Sequence, residues 1–346
     1  MADSAPAVEV VADVSVESVP QPCDAIPVTV PAPAPAPAAA PKKQQPKSLL
    51  ALLASAPASA DTFLARLNKA MSTPSGIDTV LLLLCYTSKF AAQGLTGLST
   101  SVLHRSAREW LAVMAALPSG KTVTAAAAVA PKTATTAAAA AALTLAGRLN
   151  NLSSLLSEAR TITRLWALLG LYFWGKGMVA RFIAARRARK QARSSSSSSG
   201  KEVAAAPAAG AGRLPTTTES LIGFVQLALC VGLQTLENGA YLSQKGVLGW
   251  APATQGKAYL WSVRFWAAFI GIELGKMAAE AVDPSKPEAG LGNPVWRRAL
   301  LKNLAWAPLT VHWGTPGGLV SETVVGALGS IPGLIQIRDL WASTKA

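Results

Sequence analysis

Apolar and polar positions divide the chain into hydrophobic blocks separated by low-complexity segments. The most informative block runs from Leu143 to Arg193. In its first half Leu145, Leu149, Leu152, Leu156 and Thr163 recur at helical spacing, and Leu155, Ala159 and Ile162 widen the same arc. Asn150, Ser154, Ser157, Glu158 and Thr161 fall opposite, so the pattern predicts an amphipathic helix; Arg148 interrupts its apolar arc. Arg160 and Arg164 lie at the edge of the arc, where their stems can cover apolar surface while the charge reaches out. The second half, Leu165 to Met178, is apolar nearly all round; Lys176 interrupts it, and it carries Trp166, Tyr172, Phe173 and Trp174. A basic run follows: Arg181, Arg186, Arg187, Arg189, Lys190 and Arg193. This order suits a chain lying on or dipping into an anionic membrane face. A core-facing helix followed by a solvated charge run would carry the same letters.

The flanking segments predict an all-α chain. Residues 1–47 are rich in Pro and Ala and read as a disordered tail, and its scattered acids argue against an organelle transit peptide. Residues 48–117 form an N-terminal helical region. Its opening, SLLALLASAPASA, mimics a signal peptide but lies too deep in the chain, and reads as a short helix or a coincidence. Ser75 and Asp78 have capping-box spacing, an apolar helix follows, and a second, more polar helix is expected from Ser99 to Leu117. Residues 118–142 read as an Ala/Thr-rich linker turning helical near Ala137, and 194–215 as a Ser/Ala/Gly linker. Residues 216–346 form a C-terminal hydrophobic region. Within it Ser220–Leu242, 258–279 and Leu319–Ile337 are marginally long or apolar enough to cross a bilayer, which needs ~20 residues. Gly329 and Gly333 have the spacing that lets helices approach closely, with Pro332 between them.

Composition sharpens this picture. Of 346 residues 51% are hydrophobic and only 14% charged, against a usual ~25% charged; mean hydropathy is +0.33. With 32 basic against 18 acidic residues the net charge is +14. The cations flank Trp-bearing apolar segments, so an anionic lipid surface fits them better than nucleic acid, for which no zinc-finger or RNP-like motif is present. Phosphate-binding loops, dinucleotide fingerprints, zinc-protease and nucleophile-elbow motifs are missing, and His104 and His312 have no ligand-spaced partners. The sequence therefore predicts no catalytic, cofactor-binding or metal residues and no enzyme. Glu237 and Glu273 are the carboxylates deepest in apolar runs. Each is either functional, as an intramembrane acid is by default, or paired; Lys276 lies three residues from Glu273.

Four stretches carry a family resemblance. In Pro74–Phe90, Gly76, Asp78, Tyr86, Ser88 and Lys89 match a G-x-D-K-x-x-x-x-x-Q-Y-x-S-K block, with Thr79 and Cys85 in place of its Lys and Gln. Arg160–Gly177 is an arginine-bearing junction, and Leu233–Trp250 contains an E-N-x-x-x-L block. The ending RRALLKNLAWAPLTVHW with LVSETVVGALGSIPGLIQIRDLW has Trp306 where an Asp and Pro332 where a Ser is expected. In order and spacing these resemble the peroxin-11 family of peroxisomal membrane proteins, in a divergent fungal-type branch. The resemblance implies a peroxisomal membrane protein that elongates membrane before fission, self-associates and engages dynamin-type fission machinery.

The expected fold is thus an all-α membrane protein with amphipathic helices and a few marginal spans. The expected function is membrane remodelling by helix insertion. Leu145, Leu149, Leu152, Leu156, Trp166, Phe173 and Trp174 would enter the leaflet. Arg160, Arg164, Arg181, Arg186, Arg187, Arg189, Lys190 and Arg193 would contact anionic phospholipid. A small-metabolite channel using Glu237 or Glu273, and a soluble helical scaffold, are the competing readings.

Overall fold

Proline and capping side chains set where the helices begin. The computed structural model describes residues 49–116, 133–196, 216–286 and 289–344, which leaves the tail expected at 1–47 and most of both expected linkers outside the described residues. Among the described residues the protein is all helical. The helices are α1 (Leu49–Ala70), α2 (Pro74–Ala116), α3 (Thr133–Arg164), α4 (Ala167–Ser196), α5 (Thr217–Gln244), α6 (Pro252–Val282), α7 (Pro294–Trp313) and α8 (Glu322–Ser343). Pro74, Pro252 and Pro294 occupy first helical positions, where the missing N–H costs nothing. Thr216 and Glu219 form a reciprocal capping box at the start of α5.

Two local expectations differ from the structure. Thr73, not Ser75, caps α2, its hydroxyl accepting from Gly76 N at 3.1 Å, and Asp78 is engaged across the bundle instead. The two helices expected between 74 and 117 are one. The hydroxyls of Thr96, Thr100 and Ser101 donate to the carbonyls of Ala92, Thr96 and Gly97. These residues meet their hydrogen bonds within the helix, so the polar stretch does not break it.

α2 lies between α3 and α8. With α3 it forms an antiparallel hairpin, in which Asp78 faces Arg160 and the Cys85 thiol donates to Ser153 O at 3.4 Å. The same register sets Ala92 opposite Ala146 and Ser99 opposite Ala139, all buried. Each side of this seam repeats every seven residues, the spacing that keeps one helix face on its partner. α8 packs on the other side of α2. A Cβ at Gly326 would lie 2.8 Å from Phe90 N, and one at Gly329 would overlap the Tyr86 ring. The close approach read from the glycine spacing is therefore real, and Pro332 is accommodated inside α8.

The remaining helices follow in sequence: α4 on α5, α5 on α6, α6 on α7 and α7 on α8. A core of Leu82, Tyr86, Leu233, Trp266, Trp306 and Leu309 joins α2, α5, α6 and α7. At its centre the Trp266 ring lies 5.3 Å from Trp306 and stacks 6.0 Å from Trp313.

Candidate functional site

α3 turns an unexpected face inward. Its buried residues are Ala139, Ala146, Ser153, Ser157, Arg160, Thr161 and Arg164, among which there is no large apolar side chain. Leu145, Leu152, Leu155 and Ile162 are exposed instead, Leu155 by 64%. The leucine arc is thus split: Leu149 and Leu156 sit half-buried at its edge, and Leu156 packs against the core. α2 explains the rotation, because it presents Asp78, Cys85 and Ser99, which α3 meets with small and polar partners.

Arg160 and Arg164 are not surface cations. This corrects the expectation that they contact lipid headgroups. Arg160 is 1% exposed and grips Asp78 with Nε on Oδ1 at 2.7 Å and Nη2 on Oδ2 at 3.1 Å. One turn on, Arg164 donates from Nη2 to Glu237 Oε1 at 3.2 Å, and both are buried. Gln234 Nε2 donates to Arg164 O at 2.9 Å and to Asn238 Oδ1 at 2.6 Å. α3 therefore carries two charges that bind α2 and α5 through it. Removing an ion from water costs several kcal/mol even after relaxation, so such groups persist only when paired and hydrogen-bonded. Sequence reading placed Asp78 at a helix cap and the arginines at a surface edge. The available signal was Asp78 and Glu237, each set in an apolar stretch, with one arginine of α3 for each of them.

The other predicted residues lie outward. Leu165 and Trp166 form the turn between α3 and α4, and Trp166 is 72% exposed. Leu169, Tyr172 and Phe173 continue the exposed patch along α4, whereas Trp174 is half-buried against Leu171 and Cys230. Arg181, Arg186, Arg187, Arg189 and Lys190 are exposed along the far half of α4, and Arg189 Nη1 donates to Thr217 Oγ1 at 2.6 Å. Arg193 belongs to α4, with its side chain outside the described ones. Glu273 is paired as its spacing suggested, accepting from Lys276 Nζ at 2.8 Å, and it also accepts from Gln226. His312 is structural: its Nδ1 accepts from Leu319 N and Val320 N at 2.7 and 3.0 Å.

Exposed apolar side chains recur on the other helices, among them Phe90, Leu98, Leu221, Trp261, Leu304 and Leu334. α5 is the one described helix long and apolar enough to cross a membrane by length and composition, and 22% of its most apolar stretch is buried. No family model matches the chain, and no solved structure matches it. It is similar to an uncharacterized protein of Schizosaccharomyces pombe, 25% identical over 118 residues; the match spans 34% of this chain and 58% of that protein.

Proposed function

We propose that this chain is an integral membrane protein that bends or elongates the peroxisomal membrane through apolar helix surface set into one leaflet. The observation that supports it is the reversed partition of side chains. Ion pairs, serines and alanines fill the α2–α3 seam while Leu145, Leu152, Leu155 and Ile162 of α3 face out. Water selects the opposite arrangement. Lipid tails are as apolar as leucine, so helices in a bilayer associate through small residues and internal polar bonds.

The inserting surface is revised from the leucine arc to Leu145, Leu152, Leu155 and Ile162, continued over the turn by Trp166, Leu169 and Phe173. Each such side chain moved fully out of water contributes roughly 1.5–3 kcal/mol, and less at an interface. Filling one leaflet only creates an area mismatch that favours curvature. The peroxisomal address, self-association and dynamin-type partners rest on the peroxin-11 resemblance.

The test is Leu152→Asp with Leu155→Asp in cells carrying a tagged chain. The expected result is fewer, larger peroxisomes with the protein's level, carbonate resistance and location unchanged. Ser154→Asp, on the exposed polar side, is the control and leaves organelle shape normal. Normal elongation by the double leucine variant would exclude this helix as the inserting element, and release of the wild-type chain by carbonate would exclude membrane integration.

A further inference from the structure

α4, α5 and α6 enclose a cleft of about 660 Å³ at the end of the bundle where α5 begins. That size lies within the range of small-molecule and lipid pockets. Its apolar wall comes from Trp174 and Met178 of α4 and from Ile222 and Phe224 of α5. α4 and α5 meet closely beside it, since a Cβ on Gly223 would lie 3.1 Å from Met178 Sδ. Gln226 lines the cleft and is 5% exposed; its Nε2 donates to Glu273 Oε1 at 2.5 Å, the oxygen that Lys276 also engages.

The charges of the cleft are balanced. Arg181, Lys276 and Lys286 line it, and so do Glu219, Glu280 and Asp283. A purely anionic group would meet three carboxylates and a purely cationic one three cations. A headgroup bearing both signs at fixed separation can satisfy both sets. Arg181 commits Nε to Gly177 O at 3.4 Å, which leaves its outer nitrogens for a phosphate oxygen. Glu280 holds Lys286 at 3.2 Å with its side chain still 35% exposed, enough to face an ammonium group.

Position agrees with chemistry. Arg189 touches Thr217, so the basic run of α4 and the start of α5 share one end of the bundle. On the membrane reading proposed above, on which this inference rests, that end lies at headgroup depth, and the apolar wall runs from it along α5 towards the bilayer interior. We propose that the cleft holds one zwitterionic phospholipid, its phosphate on Arg181 and Lys276, its ammonium beside Glu280, and an acyl chain along Trp174, Met178 and Phe224.

The experiment is native mass spectrometry of the full chain extracted from vesicles containing equal phosphatidylcholine and phosphatidylglycerol. One retained phosphatidylcholine per chain is expected, with retention falling roughly tenfold in Arg181→Ala and in the cleft-filling Ile222→Trp. Leu221→Trp, on the neighbouring exposed position, leaves retention unchanged and shows that an added indole on α5 is tolerated. Preferential retention of phosphatidylglycerol overturns the charge argument and the proposal with it. So does equal retention by both cleft variants. A chain that resists carbonate yet retains no lipid overturns the cleft alone. A chain released by carbonate that still carries one phosphatidylcholine supports the cleft and overturns the membrane reading.

Discussion

Arg160 and Asp78 meet as a two-pronged pair, with both bonded nitrogens of the guanidinium on the two carboxylate oxygens and the arginine side chain sealed from solvent. Breaking such a pair from one side leaves a buried charge without a counter-ion. Asp78→Ala is expected to cost about 3–5 kcal/mol of stability, while Asp78→Leu with Arg160→Met recovers most of it. The half-exposed Glu273–Lys276 pair provides the contrast, and its removal is worth at most about 1 kcal/mol. Thermal unfolding of the purified chain checks all three.

Glycines on two helices should respond in opposite directions. Gly329→Leu places atoms where the Tyr86 ring stands and forces α8 away from α2; overpacking of this kind costs about 1–3 kcal/mol. A Cβ at Gly94 of α2 meets nothing within 4 Å, so Gly94→Ala is expected to stabilise by ~1 kcal/mol through helix propensity. The same unfolding assay reads both, and a stable Gly329→Leu would mean that α8 does not need close contact.

Acid should loosen one end of α5. Lys245 donates to the Glu158 carboxylate and the Tyr241 hydroxyl donates to it at 3.2 Å. These bonds hold its pKa below the ordinary carboxylate value of 4.5. A carboxylate depressed in the fold adds stability above its ordinary pKa, and the contribution is lost as pH falls through the folded value. Lys245→Met is therefore expected to raise the Glu158 pKa towards the ordinary value in an NMR titration, and an unchanged titration would show that the lysine contact is not formed.

The exposed cations of α4 should govern binding to anionic vesicles. A peptide of residues 143–193 is expected to bind more weakly as salt rises, since each cation near such a surface is worth about 1 kcal/mol. Arg186→Glu with Arg187→Glu and Lys190→Glu removes most of that salt dependence. Arg160 and Arg164, which are buried in the folded protein, are excluded from the substitution. Binding of the unaltered peptide that ignores salt would remove the electrostatic contribution altogether.

Much of the fold was legible because it is local. The glycine spacing of α8 foretold its approach to another helix, and Glu273 found Lys276 three residues away. What stayed hidden depends on distant partners. Asp78 and Arg160 are 82 residues apart and Arg164 and Glu237 are 73. A helical wheel groups Leu145, Leu149, Leu152 and Leu156 into one arc; it cannot know that the facing helix offers an acid, a thiol and a serine. That is why Arg160 and Arg164 were set on the surface, and why Leu149 and Leu156 were grouped with Leu145 and Leu152 although they sit half-buried. In hindsight the seven-residue recurrence of small and polar positions, Asp78–Cys85–Ala92–Ser99 against Ala139–Ala146–Ser153–Arg160, was the better guide.

The two arginines of α3 also impose an order on the birth of the molecule. When Arg160 leaves the ribosome, Asp78 already exists and the α2–α3 hairpin can close at once. Arg164 emerges with no counter-ion yet made, because Glu237 lies 73 residues further on, a delay of roughly 4–15 s at ordinary elongation rates. Through that interval the hairpin holds one neutralised guanidinium and one waiting one. The nascent chain must keep Arg164 wetted until α5 packs beside it.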